Sequence, residues 1–200
     1  PGRSARTARP LPSYAHRHVR PSGSVRSPSR SEAMSKRYSV AACAGIAHGI
    51  NNLASLYERQ GRLQEAEALF KRSIAILETR LGADSPRLED VLGAMGDLFA
   101  GSGRPKEAEK LLRRALAMRE TRVGPADMAV APRVNRLGVF LHQVGRLDEA
   151  ATLFERVRAL AEKEGDSGRG EKALALQNLA AIAQGRGNLP ESERLYQQSL

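Results

Sequence analysis

The phrase Tyr57-Glu58-Arg59-Gln60-Gly61-Arg62-Leu63 recurs as Phe99-Ala100-Gly101-Ser102-Gly103-Arg104-Pro105, as Leu141-His142-Gln143-Val144-Gly145-Arg146-Leu147 and as Ala183-Gln184-Gly185-Arg186-Gly187-Asn188-Leu189. The glycines Gly61, Gly103, Gly145 and Gly187 therefore stand 42 residues apart. A fixed period of this length marks a solenoid, in which each unit buries its apolar face only against its neighbours. Function is then expected on a surface rather than in an enclosed catalytic core.

Working outward from each glycine, apolar residues recur at helical spacing on both sides. The first unit has a helix up to Gln60, carrying Ile46, Ile50, Leu53, Leu56 and Tyr57. A second helix runs from about Leu63 to Arg80, with Ala66, Leu69, Phe70, Ser73, Ile74 and Leu77 as its inner stripe. Gly82 closes that helix, and Asp84-Ser85-Pro86 supplies a cap and a first-turn proline for the next. The second unit has helices from about Pro86 to Ala100 and Pro105 to Arg122. In the third, Pro132 requires the first helix to begin near Ala131 or to kink. The fourth has a helix from about Glu171 to Gln184 and another from Leu189 onward. The repeats are placed at about 47–88, 89–130, 131–172 and 173–200, the last being short.

Aligned on the glycines, small residues fall where helices must approach: Ala54, Gly96, Gly138 and Ala180 in the first helices, and Ala66, Ala108, Ala150 and Ser192 in the second. Large residues fill the spaces between: Leu53, Met95, Leu137 and Leu179, then Tyr57, Phe99 and Leu141, and in the second helices Phe70, Leu112, Phe154 and Tyr196. Pro105 replaces the leucine found at Leu63, Leu147 and Leu189, which predicts looser packing in the second unit.

This order of a small residue beside Leu, an aromatic, a Gly turn, an Ala and a second aromatic resembles the tetratricopeptide repeat, over roughly residues 47–200. The phrases Asn51-Asn52-Leu53-Ala54-Ser55-Leu56-Tyr57 and Leu81-Gly82-Ala83-Asp84-Ser85-Pro86 are similar to the 42-residue kinesin-light-chain variety. The resemblance implies an all-α, right-handed solenoid of antiparallel helix pairs acting as a non-catalytic scaffold or adaptor. Its first helices would line a concave groove for an extended peptide or partner protein. Groove candidates are Asn51, Asn52, Ser55, Asp97, Asn135, Arg136, His142, Gln177 and Asn178, with Asn52 and Asn178 foremost. An Asn amide both donates and accepts, which suits a peptide backbone. Asp90 and Asp97 oppose Arg136, so capture of a terminal carboxylate by a basic clamp is not expected. The kinesin-light-chain family carries a heptad coiled coil ahead of its repeats; a Pro-rich stretch stands there in this chain, so a sensor arm of a larger signalling protein or an imported assembly factor are alternatives to a cargo adaptor.

The formal charge of +10 is uneven: residues 1–37 hold nine Lys or Arg against Glu32, while the remainder holds 23 bases and 21 acids. Nucleic-acid binding is thus expected of the tail at most. Residues 1–37, rich in Arg, Ser and Pro, read as disordered, and the array as 38–200. The chain begins with Pro1 and both ends read as cut, with Met34 as an internal initiator. If residues 1–33 are a genuine leader, a plastid or mitochondrial destination follows; otherwise the expected location is cytoplasmic. Cys43 stands alone, so no intrachain disulfide is available. Cys43 and His48 have no third partner, and no metal, cofactor or catalytic residue is expected. The apolar run Val40–Ala47 is short for a membrane span. Gly168-Arg169-Gly170-Glu171-Lys172-Ala173 matches a dinucleotide fingerprint in letters but follows a helix, so it reads as an inter-repeat loop. Glu67 with Lys71 and Glu109 with Arg113 read as i,i+4 surface pairs.

Overall fold

The same turn closes the first helix of every unit. Gly61, Gly103, Gly145 and Gly187 take φ between +71° and +81°, a region open to glycine because it lacks a Cβ. The following amide then donates back five residues: Arg62 to Tyr57, Arg104 to Phe99, Arg146 to Leu141 and Asn188 to Ala183, each at 2.9 Å. This Schellman-type closure satisfies carbonyls that a helix end otherwise leaves without partners. It turns the chain back within two residues, so successive helices run antiparallel.

The computed structural model describes residues 30–200. Eight α-helices follow in order there: α1 Arg30–Arg59, α2 Leu63–Leu81, α3 Pro86–Gly101, α4 Pro105–Val123, α5 Ala131–Gln143, α6 Leu147–Lys163, α7 Arg169–Gly185 and α8 Leu189–Gln198. They form four antiparallel pairs, and each pair packs on the next through α2 with α3, α4 with α5 and α6 with α7. The architecture is the expected all-α solenoid. Of the stretch 1–37 expected to be disordered, residues 1–29 lie outside the described residues and residues 30–37 are helical, part of α1.

Small residues set the pitch of the stack. Ala54, Ala66, Ala108, Ala150 and Ala180 are fully buried. A Cβ at Gly138 would lie 2.7 Å from Phe154 Cε1, and one at Gly96 would lie 2.8 Å from Leu112 Cδ2. Phe70 and Phe154 fill the adjoining space and are buried. Each pair thus presents a bulky side chain from its second helix to a residue with little or no side chain in its first.

Several boundaries differ from the sequence reading, each for a local reason. Helix α1 begins at Arg30, ahead of the expected Tyr38, because no proline interrupts the chain after Pro28. Ser85 occupies the N-cap position of α3 but its hydroxyl makes no capping bond; Pro86 alone fixes the start. Pro132 lies in the first turn of α5, behind a 3₁₀ turn at Met128–Val130 that Asp127 caps by accepting from the Ala129 amide at 2.8 Å. The dinucleotide-like phrase is not a loop: a 3₁₀ turn occupies Gly165–Gly168, and Arg169 onward is already α7. Gly168 is needed there, since a Cβ would stand 2.4 Å from the Ala161 carbonyl oxygen. Pro105 sits at the start of α4, where the missing amide hydrogen costs nothing. Its counterparts Leu63 and Leu189 are exposed, so the proline forfeits little packing. Leu53 and Tyr196, expected inside, are exposed at the two ends of the array.

Charged side chains tie the units along one edge. Arg104 donates to Glu107 of its own unit and reaches Glu67 of the preceding one at 2.5 Å. Arg146 does the same with Glu149 and with Glu109 at 2.7 Å. A second rung joins Arg114 to Glu78 and Arg156 to Glu120, both at 2.6 Å. Glu67 and Glu109 do pair with Lys71 and Arg113, but their larger role is between units.

Glu89 is the one fully buried acidic side chain among the described residues. Arg119 Nε donates to it at 2.7 Å and Arg122 Nη2 at 2.7 Å, while Arg133 Nε lies 3.9 Å away. One carboxylate from α3 is therefore held by guanidinium groups from α4 and α5.

Candidate functional site: the concave cleft

Helices α1, α3, α5 and α7 lie side by side, α1 against α3, α3 against α5 and α5 against α7. A cleft of about 590 Å³ opens on this face, with Asp97, Ala100, Asn135, Arg136, Val139, Phe140, Glu171 and Leu174 among its lining residues. Its floor is apolar, from Ala100, Val139, Phe140 and Leu174, and its polar groups stand around that floor.

Arg136 leans from α5 across to α3. A Cβ on Gly93 would fall 2.0 Å from Arg136 Nη1, so glycine leaves the space that the guanidinium fills. From there Arg136 Nε approaches Asp97 Oδ2 at 3.5 Å. Burial raises the Asp97 carboxyl above its ordinary range, and the Arg136 charge offsets part of that. Burial also raises Glu58 on α1, with the Asp97 charge as the second cause. Two carboxylates thus stand near each other in partly dry surroundings, and one of them, Asp97, faces the Arg136 guanidinium.

The amides are partly committed to one another. Asn178 Nδ2 donates to Asn135 Oδ1 at 2.9 Å, bridging α7 and α5. Asn52 Nδ2 lies 3.2 Å from His48 Nε2, one turn away on α1. Asn51 Oδ1 is buried without a hydrogen-bond partner, beside a small hollow shared with His48, Arg87 and Asp90. Asp90 is engaged by Arg133.

Of the residues expected in the groove, Asp97, Asn135 and Arg136 line one cleft and Asn178 adjoins it through Asn135. Asn51 belongs to the small hollow. Gln177 lines a separate hollow at the α7–α8 end. Asn52 bonds to His48, while Ser55 and His142 are half-buried and outside the cleft lining. The sequence reading missed Glu171 and Leu174. Leu174 carried a signal, because its counterparts one period apart are His48, Asp90 and Pro132. A leucine in that column, left exposed, stands out.

Chemically, the cleft offers an apolar floor for a side chain, amides that donate and accept, and charges of both signs at its rim. Such a surface fits an extended polypeptide, whose backbone alternates donors and acceptors. Among the described residues no three His, Cys, Asp or Glu side chains converge as a metal site would require. No helix among them is long and apolar enough to cross a membrane. Cys43's side chain lies outside the described residues.

A tetratricopeptide repeat family model matches residues 45–121 and 127–200. No curated protein sequence matches the chain significantly. Among solved structures, BtubC (BKLC) from P. vanneervenii is similar, with a TM-score of 0.67 and 22% identity over 76% of this chain and 61% of that one. A Podosopora anserina protein described as a kinesin light chain with nearly identical TPR-like repeats has a TM-score of 0.66 and 22% identity over 78% of this chain and 74% of that one. Pseudomonas aeruginosa PilF has a TM-score of 0.58 and 19% identity over 80% of this chain and 62% of that one. The chain therefore spans about three fifths of the length of the BtubC chain, and at these identities the likeness concerns the fold.

Proposed function

The chain belongs to the tetratricopeptide repeat family, and from that premise we propose that it captures an extended segment of a partner protein in its concave cleft, acting as a scaffold without chemistry of its own. The observation that carries this reading is the cleft across α3, α5 and α7, where the exposed Leu174 and the half-buried Val139, over the buried Phe140, adjoin Asn135, Arg136 and Asp97. An exposed apolar floor rimmed by polar groups marks an interaction surface more often than a solvated helix face does. A cargo-adaptor role is a narrower form of the same proposal, supported by the 42-residue period.

The test is a peptide-array screen with the full chain, followed by titration of the strongest peptide against Leu174→Asp and Arg136→Ala variants. Both side chains are surface-accessible, so circular dichroism is expected to be unchanged. Loss of about tenfold or more in affinity for Leu174→Asp, equivalent to about 1.4 kcal/mol, is the expected result. Unchanged affinity in both variants would remove the cleft as the binding site.

A further inference from the structure

The concave cleft is lopsided in charge. It crosses α5 on a diagonal: α3 lines it near its C-terminal end, at Asp97, Ala100 and Gly101, and α7 lines it from its first turns, at Glu171 and Leu174. A carboxylate therefore stands on each side, Asp97 on α3 and Glu171 on α7, with the floor of Val139, Phe140 and Leu174 between them. Next to Asp97 is Glu58 of α1, whose carboxyl is raised by burial and then by the Asp97 charge. Against these carboxylates the cleft lining sets a single cation, Arg136.

Arg136 leaves that imbalance standing. Its Nε is 3.5 Å from Asp97 Oδ2, longer than a good hydrogen bond, and the Asp97 side chain is about half exposed. Other bases nearby are turned to partners of their own: Arg133 to Asp90, Arg169 to Asp166 and Lys172 to Glu162. Glu58 and Glu171 form no ion pair among the described residues, although Arg59 tempers Glu58 from the next position in the chain. Asp97 is also a departure from the repeat. Its column reads Ser55, Asp97, Val139, Ala181, so the helix packing that all units share does not ask for an acid there. Glu171 stands in the first turn of α7, where the helix dipole also welcomes an acid, so Asp97 and Glu58 weigh more in the argument.

Carboxylates in partly dry surroundings favour a neighbour that brings positive charge together with hydrogen-bond donors. An acidic segment would meet like charge on both sides of the cleft and be rejected. We propose that the segment held in the cleft is basic: an extended stretch of a partner protein that lays an apolar side chain on the Leu174 floor and reaches Lys or Arg side chains to Asp97 and Glu58 on one side and to Glu171 on the other. This rests on the reading of the cleft as a peptide site and names the chemistry of the partner. Two helix spacings of about 8 to 10 Å separate α3 from α7, and extended chain at roughly 3.3 Å per residue crosses them in about five or six residues. The recognised pattern is therefore an apolar residue with a base about two or three places to each side.

Isothermal titration of the full chain with three sets of synthetic peptides tests this. The sets share a frame with Leu or Phe at the centre and differ in carrying Lys, Gln or Glu two and three places to either side. The chain's net charge is +10, so unspecific attraction favours the Glu set. The Lys set is nevertheless expected to bind tightest, by about tenfold over the Gln set. Asp97→Asn and Glu171→Gln are each expected to weaken the Lys set about threefold, and the neutral floor change Leu174→Ser to weaken every set. Arg136→Ala, which removes the opposing cation, is expected to tighten the Lys set about twofold, an outcome that a side chain serving only the fold would not give. These side chains are at least partly exposed, and circular dichroism checks that the variants fold. Gln or Glu peptides that bind as tightly as Lys peptides, with affinity lost in Leu174→Ser, would overturn the basic partner and leave the cleft as a peptide site. A Lys preference that survives both Asp97→Asn and Glu171→Gln would overturn it too, by placing the charge recognition elsewhere. No binding by any set, or binding indifferent to Leu174→Ser, would overturn it together with the reading of the cleft.

Discussion

Replacing Glu89 by Ala removes the carboxylate around which α3, α4 and α5 converge. The side chain is fully buried and accepts one bond from Arg119 and two from Arg122, with Nε at 3.2 Å and Nη2 at 2.7 Å. Hydrogen bonds to charged groups contribute about 1.5 to 3 kcal/mol each, so the three bonds together suggest roughly 4 to 9 kcal/mol gross. The carboxylate's desolvation, several kcal/mol, is returned when it is deleted. The guanidinium groups are 12–36% exposed, so they regain water rather than remaining stranded, and screening trims the remainder. The expected loss is therefore about 2 to 4 kcal/mol, below the roughly 3 to 5 for breaking a fully enclosed pair. Urea unfolding followed by circular dichroism at neutral pH measures it, with Arg122→Ala as the comparison. Arg122 donates two of the three bonds, and its loss leaves the buried carboxylate on Arg119 alone, so it should cost about 1 to 3 kcal/mol as well. Losses under about 0.5 kcal/mol in both variants would refute the idea that the buried carboxylate organises this junction.

Gly138→Ala places a methyl against the Phe154 ring; overpacking of about 1 to 3 kcal/mol outweighs a helix-propensity gain of about 1, so thermal unfolding should show net destabilisation. Hydrogen bonds from Arg104 hold Glu67 and Glu107 below the usual carboxylate range, and bonds from Arg146 do so for Glu149. The unfolded chain binds more protons there, so their stabilisation is present above about pH 4.3 and is lost as pH falls through the lowered values. Asp97, raised by burial, works the other way: its folded form holds the proton longer, and stability falls as pH rises through that window. Unfolding midpoints from pH 3 to 7 should therefore show a shallower acid limb for Glu67→Gln than for the parent. A rung can also be built where the ladder is broken: Ala151→Glu with Asn188→Arg should show a coupling of about 0.5 kcal/mol in a double-mutant cycle, although Asn188→Arg alone loses the cap to the Glu191 amide.

What the sequence made legible was whatever repeats. The turn glycines and the small residues at Ala66, Ala108 and Ala150 obey a steric demand that is identical in every unit, so four copies announce it. Burial at the ends is a different matter: Leu53 and Tyr196 obey the same pattern as Leu137 and Phe154, yet burial depends on a neighbour and not on the residue itself. The turn arginines were visible, but their partners were not, because a partner 37 residues back lies at the period less five and no local pattern connects the two. Glu89 was hidden by the opposite cause. Its column reads Ala47, Glu89, Ala131, Ala173, and an acid in an alanine column is a departure from the repeat. The same holds for Leu174 in the column of His48, Asp90 and Pro132. In a repeat array the consensus residues specify the helices and their pitch, which any member of the architecture needs. The departures answer to something outside that shared demand: Glu89 to a charged junction between α3, α4 and α5, and Leu174 to the floor of the proposed binding cleft.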